Sequence, residues 1–168
     1  MNQNNKVEGN LSVKNITVRE FDKWKSKILL LMKETVEFNF PTNDVPDEYY
    51  REKCEELREY LQEKKAIVLI AVIEKKLTGW IWCHKIDRFD ENRFHVAYFS
   101  VFPEWKKHGV GGLLLKEAEK VAIESGACGV DLFVTVSNSD AVDFYTHKGY
   151  YPERLLLFKS LNDWRKQP

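Results

Sequence analysis

The run Gly109-Val110-Gly111-Gly112 places three glycines between a segment with strand character and a segment with helix character. Before it, Phe94–Phe102 is rich in aromatic and β-branched residues and ends at Pro103, which cannot continue a central strand. After it, apolar residues recur at helical spacing, and Val130–Val136 is again rich in β-branched residues. A strand, a tight turn, a helix and a second strand in this order predict a βαβ unit with two parallel strands.

The rest of the chain predicts further elements around this unit. The patterns predict strands at Leu11–Arg19, Ala66–Ile73, Leu77–Ile86 and Arg154–Leu161, helices at Phe21–Phe38, Asp47–Lys64 and Ser139–His147, and a charged loop at Asp87–Arg93. A short polar turn separates the second and third of these strands, which therefore predict an antiparallel hairpin. The order is β-α-α-β-β-β-α-β-α-β. The predicted fold class is α/β (α+β), with a mixed, largely antiparallel central sheet and helices on both faces.

Length and charge narrow the class of protein. The 168 residues predict one domain over residues 11–161, between a loose N-terminal tail at 1–10 and a C-terminal tail at 162–168. Lys plus Arg and Asp plus Glu number 26 each, which gives no electrostatic footprint for nucleic acid or for a membrane surface. The sequence shows no bilayer-spanning stretch and no signal-peptide core, so we expect a cytoplasmic protein.

The cysteines predict neither a metal site nor a thiol nucleophile. Cys54, Cys83 and Cys128 lie far apart, and no pair of cysteines or histidines has metal-ligand spacing. We expect reduced and mostly buried thiols and no bound metal. Cys83 and His84 are adjacent, and neighbours in a strand point to opposite faces, which argues against a catalytic Cys–His pair.

The glycine turn has the chemistry of a phosphate cradle. The first N–H groups of a helix are unpaired and carry partial positive charge, and glycines let the backbone approach a ligand closely. Lys106, Lys107 and His108 add charge beside the turn. A tight turn that binds nothing, or a nucleotide-phosphate site, would also fit. No Gly-Lys-Ser/Thr follows, and Leu114 stands where a dinucleotide fingerprint has its third glycine.

A second cluster of candidate residues follows the second strand of the unit. Asn138 stands at the start of a short predicted helix, Phe144 and Tyr145 lie within it, and Gly149 closes it. Taken alone, the pattern also fits a capped helix with an aromatic residue that only packs.

Together the two patterns resemble the GNAT acyltransferase superfamily. Lys106-x-x-Gly109-Val110-Gly111 is similar to the acetyl-CoA loop of that family, with lysine where arginine or glutamine is commoner, and Asn138-x-x-Ala141-x-x-Phe144-Tyr145 is similar to its second motif. The resemblance implies a sheet in which a β-bulge splays the two parallel strands. It implies an N-acetyltransferase that uses acetyl-CoA, releases coenzyme A, and lets a primary amine attack directly, without an acyl-enzyme.

The resemblance also implies the roles of individual residues. Cofactor contacts are expected at Phe99, Ser100, Val101, Lys106, Lys107, His108, Gly109, Val110, Gly111, Gly112, Leu113, Asn138 and Phe144. Backbone N–H groups of residues 108–113 would hold the pyrophosphate, and the strand at 99–101 would pair with the pantetheine amides. Asn138 would orient the cofactor. Tyr145, with a reference pKa of about 10, would protonate the departing thiolate.

The general base is less well defined. Many members of the family carry a glutamate on the strand before the glycine loop, but residues 94–101 contain no carboxylate. His95 stands near the expected place, and a histidine pKa near 6.5 suits a general base. An exposed histidine at a strand edge is the alternative. Asp87, Asp90 and Glu91 could supply a relay or attract a cationic amine, or form an ordinary solvated loop.

The acceptor remains open at the level of sequence. Trp80 and Trp82 share parity on one predicted strand and could line an acceptor site or simply pack in the core. The acidic helix at residues 47–63 could attract a polyamine or another cation, or be a solvated face. Small-molecule and peptide amines, a non-catalytic acyl-CoA sensor module and a homodimer all remain compatible with the sequence.

Overall fold

A computed structural model describes residues 10–41, 43–88 and 91–161 of the chain. The predicted tails fall almost entirely on residues 1–9 and 162–168, which lie outside the described residues. The chain divides into two compact units, one ending at Phe133 and the other beginning at Val134. One domain over residues 11–161 stays a prediction.

The first unit contains a five-stranded sheet in the order β1-β2-β3-β4-β5. Its elements are β1 (Ser12–Asn15), α1 (Val18–Asn39), α2 (Asp47–Gln62), β2 (Ala66–Ile73), β3 (Lys76–Arg88), β4 (Glu91–Val101), the short 3-10 helix Pro103–Trp105, α3 (Val110–Glu124) and β5 (Gly129–Leu132). All neighbouring strands are antiparallel except β4 and β5, which are parallel. The second unit contains α4 (Ser139–His147). The mixed α/β fold class is confirmed.

Helices cover both faces of the sheet. We call these the α1/α2 face and the α3 face. On the α1/α2 face, Trp80 and Trp82 are buried against apolar residues of α1 and α2. On the α3 face, a Cβ added to Gly79 would lie 2.9 Å from the carbonyl oxygen of Ser100 and 3.2 Å from Cδ1 of Leu114. Only glycine lets α3 pack this closely on β3 and β4.

Helix α1 begins earlier than the sequence pattern predicted, and β1 is correspondingly shorter. Thr17 caps α1 by accepting a hydrogen bond from the Glu20 N–H, while the Glu20 carboxylate accepts one from the Thr17 N–H. This reciprocal capping box ends the extended backbone after Asn15. The predicted strand over Leu11–Arg19 was therefore too long.

The predicted charged loop at Asp87–Arg93 was wrong. Arg88 pairs with Glu91 and Asp87 with Asn92, so the hairpin of β3 and β4 continues almost to its turn. Asp90 lies outside the described residues. Charged side chains are tolerated here because Asp87 and Glu91 are exposed.

The predicted strand at Arg154–Leu161 is also wrong. The segment has no strand or helix in the structure, and the side chains from Leu155 to Phe158 are 75–89% exposed. An apolar run has strand propensity, but a strand requires a hydrogen-bonding partner, and no ladder includes these residues. The predicted strand at Val130–Val136 is shortened to β5 for a related reason, since its ladder ends at Leu132.

Within the described ranges, no helix is both long enough and apolar enough to cross a membrane.

Candidate active site

Strand β4 carries an extra residue at the point where β5 leaves it. Tyr98 pairs with Trp82 and Val96 pairs with Cys83, so Ala97 is a bulge in β4. The ladder between β4 and β5 runs from Arg93–Gly129 to Val96–Leu132 and ends there. Residues 97–101 of β4 therefore extend past the β5 ladder. This is the geometry expected of a splayed parallel pair.

His95 lies just before this parting and is paired with Asp131 of β5. The two residues are direct neighbours in the parallel register, and His95 Nδ1 lies 2.6 Å from Asp131 Oδ1. Their side chains are 15% and 19% exposed, respectively. Because β3 and β5 flank β4, His95 is not at a strand edge. The alternative of an exposed edge histidine is therefore wrong.

An aromatic row leads across the α1/α2 face to His95. Tyr98 stacks between Trp80 and Trp82 at centroid distances of 6.0 and 5.8 Å. Trp82 contacts His84 at 6.1 Å, and His84 contacts His95 at 5.5 Å. Trp80 and Trp82 are core residues that form the floor of this row, and the half-buried His84 and His95 are its more accessible end.

Burial sets the protonation of several groups near the sheet. Burial, followed by the nearby His95, lowers the pKa of His84, which favours its neutral form. Burial, followed by the hydrogen bond with the Tyr49 hydroxyl, raises the pKa of Tyr98. Burial raises the pKa of Cys83 to about 12, so this thiol is protonated at neutral pH and is a poor nucleophile. Cys54 and Cys83 are buried free thiols, whereas Cys128 is exposed.

Helix α3 begins at the glycine turn, and no other atoms crowd the turn at Gly109. Gly109 has φ +83° and precedes α3, and a Cβ added to it would meet no atom within 4 Å. Lys107 also adopts the left-handed region, with φ 63°. Among the described residues no side chain caps α3, unlike α1 and α4, which have Thr17 and Asn138 caps. The first N–H groups of α3 are thus without a side-chain acceptor, as a helix start that binds an anion requires.

Lys106 and His108, beside the turn, both make local contacts. His108 Nδ1 donates to the Lys106 carbonyl oxygen at 2.7 Å, which tightens the turn. Lys106 Nζ lies 5.6 Å from the Phe38 ring centroid in α1. Lys107 is exposed. Val110, Gly111, Gly112 and Leu113 form the first turn of α3, and the side chain of Val110 is buried.

The three residues predicted on β4 lie beyond the bulge. Phe99 and Val101 are half-buried and pair with Ile81 and Gly79 of β3. The Ser100 hydroxyl contacts the Thr35 hydroxyl of α1, so its side chain is used in packing. What this segment offers a ligand is therefore its backbone.

The second unit holds the other predicted site residues. Asn138 Oδ1 accepts a hydrogen bond from the Ala141 N–H at 3.2 Å and caps α4. The half-buried Tyr145 ring lies 5.3 Å from Phe144 and 5.6 Å from Tyr150, measured between centroids. Gly149 follows α4 with φ +89°, as its predicted stop position requires.

An acidic cleft of about 600 Å³ lies along α2. It is lined by Lys25, Glu48, Arg51, Glu52, Glu55, Glu56 and Glu59. Several of these carboxylates are already neutralised, since Glu48 pairs with Arg51 and Glu55 with Lys25. The surface is a mixed-charge helix face.

A protein-family model matches most of the chain. The model of the acetyltransferase (GNAT) family matches residues 30–150. The chain belongs to the GNAT acetyltransferase family. This confirms the predicted resemblance and fold class, and with them an acetyl-CoA-dependent N-acetyltransferase. The matched range includes the glycine turn, the bulged strand β4 and α4.

Solved structures share this GNAT fold over nearly the whole chain. A candidate acetyl transferase from Pyrococcus furiosus is 26% identical, with a TM-score of 0.71 over 90% of this chain and 99% of that one. A protein from Clostridium acetobutylicum, solved with acetyl-CoA, is 11% identical with a TM-score of 0.72 over 91% and 97%. An aminoglycoside acetyltransferase from an uncultured soil metagenomic sample, in complex with sisomicin, is 18% identical with a TM-score of 0.70 over 89% and 95%.

The residues present fit acetyl-CoA. A negatively charged pyrophosphate suits an uncapped helix start that opens onto empty space at Gly109. The pantetheine arm carries amides, and residues 97–101 provide strand backbone beyond the β5 ladder. Both features belong to the first unit.

Sequence reasoning missed Asp131 as a site residue. It was assigned only to a predicted strand, because its importance comes from its position opposite His95 in the ladder. The βαβ unit implied that β4 and β5 run in parallel, but no motif in the sequence specifies their register.

Gly109→Ala should weaken both cofactor binding and the fold. Its left-handed φ costs an alanine about 1–2 kcal/mol of folding free energy, and the new methyl group enters the space proposed for phosphate. We expect the KM for acetyl-CoA to rise about tenfold, equivalent to about 1.4 kcal/mol. Steady-state kinetics and thermal unfolding measure the two effects.

Gly126→Ala is the matched control, because Gly126 has φ +75° and equally open surroundings at the other end of α3. It should lower stability to a similar extent and leave the KM for acetyl-CoA unchanged. Equal KM values for wild type, Gly109→Ala and Gly126→Ala would show that the glycine turn does not bind the cofactor.

Proposed function

We propose that this enzyme transfers acetyl from acetyl-CoA to a primary amine, with His95 as general base and Tyr145 as general acid. The observation that carries the proposal is the parting of β4 and β5 beside the His95–Asp131 pair. A slot that begins next to a proton acceptor brings an amine and a reactive group together. When bound, acetyl-CoA supplies an activated thioester carbonyl.

Residues of the first unit would hold the cofactor. Backbone N–H groups at residues 108–113 are proposed to bind the pyrophosphate, assisted by the exposed Lys107. Backbone of Phe99–Val101 is proposed to pair with the pantetheine amides. Asn138 and Phe144 of the second unit are proposed to contact the pantetheine arm.

His95 would accept the proton that the amine must lose. An ammonium group has no lone pair, so an attacking amine needs a base. Nδ1 of His95 lies against Asp131, and Nε2 is proposed to accept this proton. Tyr145 Oη would donate a proton to the departing sulfur. The protonated Cys83 thiol supports direct transfer without an acyl-enzyme.

An amine panel with acetyl-CoA tests the proposal, with released coenzyme A thiol as the readout. The panel contains aminoglycosides, because aminoglycoside acetyltransferases are among the proteins that share the fold, together with polyamines, amino acids and N-terminal peptides. We expect saturable turnover with at least one primary amine and intersecting initial-velocity lines. Calorimetric binding of coenzyme A without turnover of any amine would instead identify a non-catalytic sensor module.

A further inference from the structure

We propose that Asp131 is a positioning residue that fixes the ring of His95, so that Nδ1 is protonated and Nε2 faces the acceptor amine. The inference deepens the proposed function and rests on it for its catalytic meaning. It assigns a role to a residue on β5, the strand that diverges from β4 one residue pair after His95.

The geometry makes the interaction specific. The two side chains are register partners on the same face of the sheet, with Nδ1 and Oδ1 2.6 Å apart. Both are largely shielded from water, so the hydrogen bond has little competition from solvent. His84 on one side and Phe133 on the other contact the His95 ring at centroid distances of 5.5 and 5.2 Å.

Neighbouring cations keep the Asp131 carboxylate in place. Asp131 Oδ2 is buried and has no hydrogen-bond partner among the described residues. Arg88 Nη1 and Arg93 Nη1 lie 3.8 and 3.9 Å from it, and Arg93 also pairs with Glu91. Arg88 and Arg93 thus approach Oδ2 without a direct hydrogen bond, which leaves Oδ1 for His95.

The charged and titratable groups around His95 come from three strands. His84 and Arg88 belong to β3, Arg93 to β4 and Asp131 to β5. Glu56 of α2 acts electrostatically on His84. His84 stays neutral through burial and therefore adds no second positive charge beside His95 at neutral pH. Asp131 is accordingly the group that selects the tautomer of His95.

Nitrogen-15 NMR of the histidine rings tests the inference without relying on activity. The chain has four histidines, and the His95 signals are identified by their loss in His95→Gln. At a pH about two units above the ordinary histidine pKa of about 6.5, wild type should show His95 protonated at Nδ1. In Asp131→Asn the Nε2-protonated form should appear. A wild-type His95 protonated at Nε2 would overturn the inference even if Asp131→Asn does not fold, because the assignment needs only His95→Gln.

Kinetics give the second readout. Asp131→Asn should lower kcat about 10- to 100-fold, part of the roughly 10²- to 10⁴-fold that a general base contributes, and should leave the KM for acetyl-CoA unchanged. Asp22→Asn, which alters an ion pair with Arg58, is the control and should keep full activity. If the Nδ1 tautomer depends on Asp131 while His95→Gln keeps full kcat, the positioning stands and the base assignment fails. An Asp131→Asn protein with the wild-type tautomer and kcat would overturn the positioning role.

Discussion

Replacing His95 with glutamine is expected to lower kcat by about 10²- to 10³-fold, within the range that general-base catalysis contributes. Glutamine keeps a polar side chain opposite Asp131 but has no nitrogen that accepts a proton near neutral pH. The KM for acetyl-CoA should be unchanged, because the proposed cofactor contacts use other residues. Steady-state kinetics at a fixed pH measure the effect.

His147→Gln is the matched control for this substitution. His147 is exposed on α4, and its Nδ1 donates to the Asp143 carbonyl oxygen at 2.7 Å. It should therefore tolerate glutamine with full activity. If His95→Gln keeps wild-type kcat, the base lies elsewhere, and the half-buried His84 is the first residue to replace.

Tyr145→Phe should lower kcat by about 10²-fold or more through the loss of one hydroxyl proton. The aromatic ring remains, so its packing against Phe144 and Tyr150 is retained. Binding of coenzyme A, measured by calorimetry, should be unchanged, because the lost group is proposed to act only on the departing sulfur. A more acidic thiol leaving group in the acyl donor should reduce the difference between variant and wild type.

Tyr150→Phe removes the same atom from the neighbouring ring and is the control. It should leave kcat within about twofold of wild type, as expected for a substitution outside the proton-transfer step. Equal losses in the two variants would indicate a structural effect on α4. Full activity of Tyr145→Phe would show that the Tyr145 hydroxyl is not the general acid.

Much of the fold could be predicted because its local signals agree with its packing. The hairpin turn after Ile73, the glycine before α3 and the cap at Asn138 each fix an element boundary through backbone chemistry. The strand predicted at Arg154–Leu161 failed because apolar composition reports propensity and not pairing. The start of α1 could have been predicted from the Thr17-x-x-Glu20 capping box.

The site was less accessible to sequence reasoning, because its geometry depends on register. The glycine turn and α4 carry motifs, but the pairing of His95 with Asp131 is set by two strands far apart in sequence. Alternation along a regular strand would put His95 and Tyr98 on opposite faces, since they are three positions apart. The bulge at Ala97 brings them to the same face, and nothing in the residue types around it predicts the bulge.

That extra residue has a further consequence for the sheet. Two parallel strands ordinarily continue to pair for as long as their backbones stay straight, and each added pair contributes hydrogen bonds. The bulge at Ala97 interrupts this pairing. The backbone N–H and C=O groups of residues 97–101 in β4 are therefore not used in the ladder with β5. In a chain lacking Ala97 we expect β4 and β5 to pair further, which would close the strand edge proposed to bind the acetyl donor.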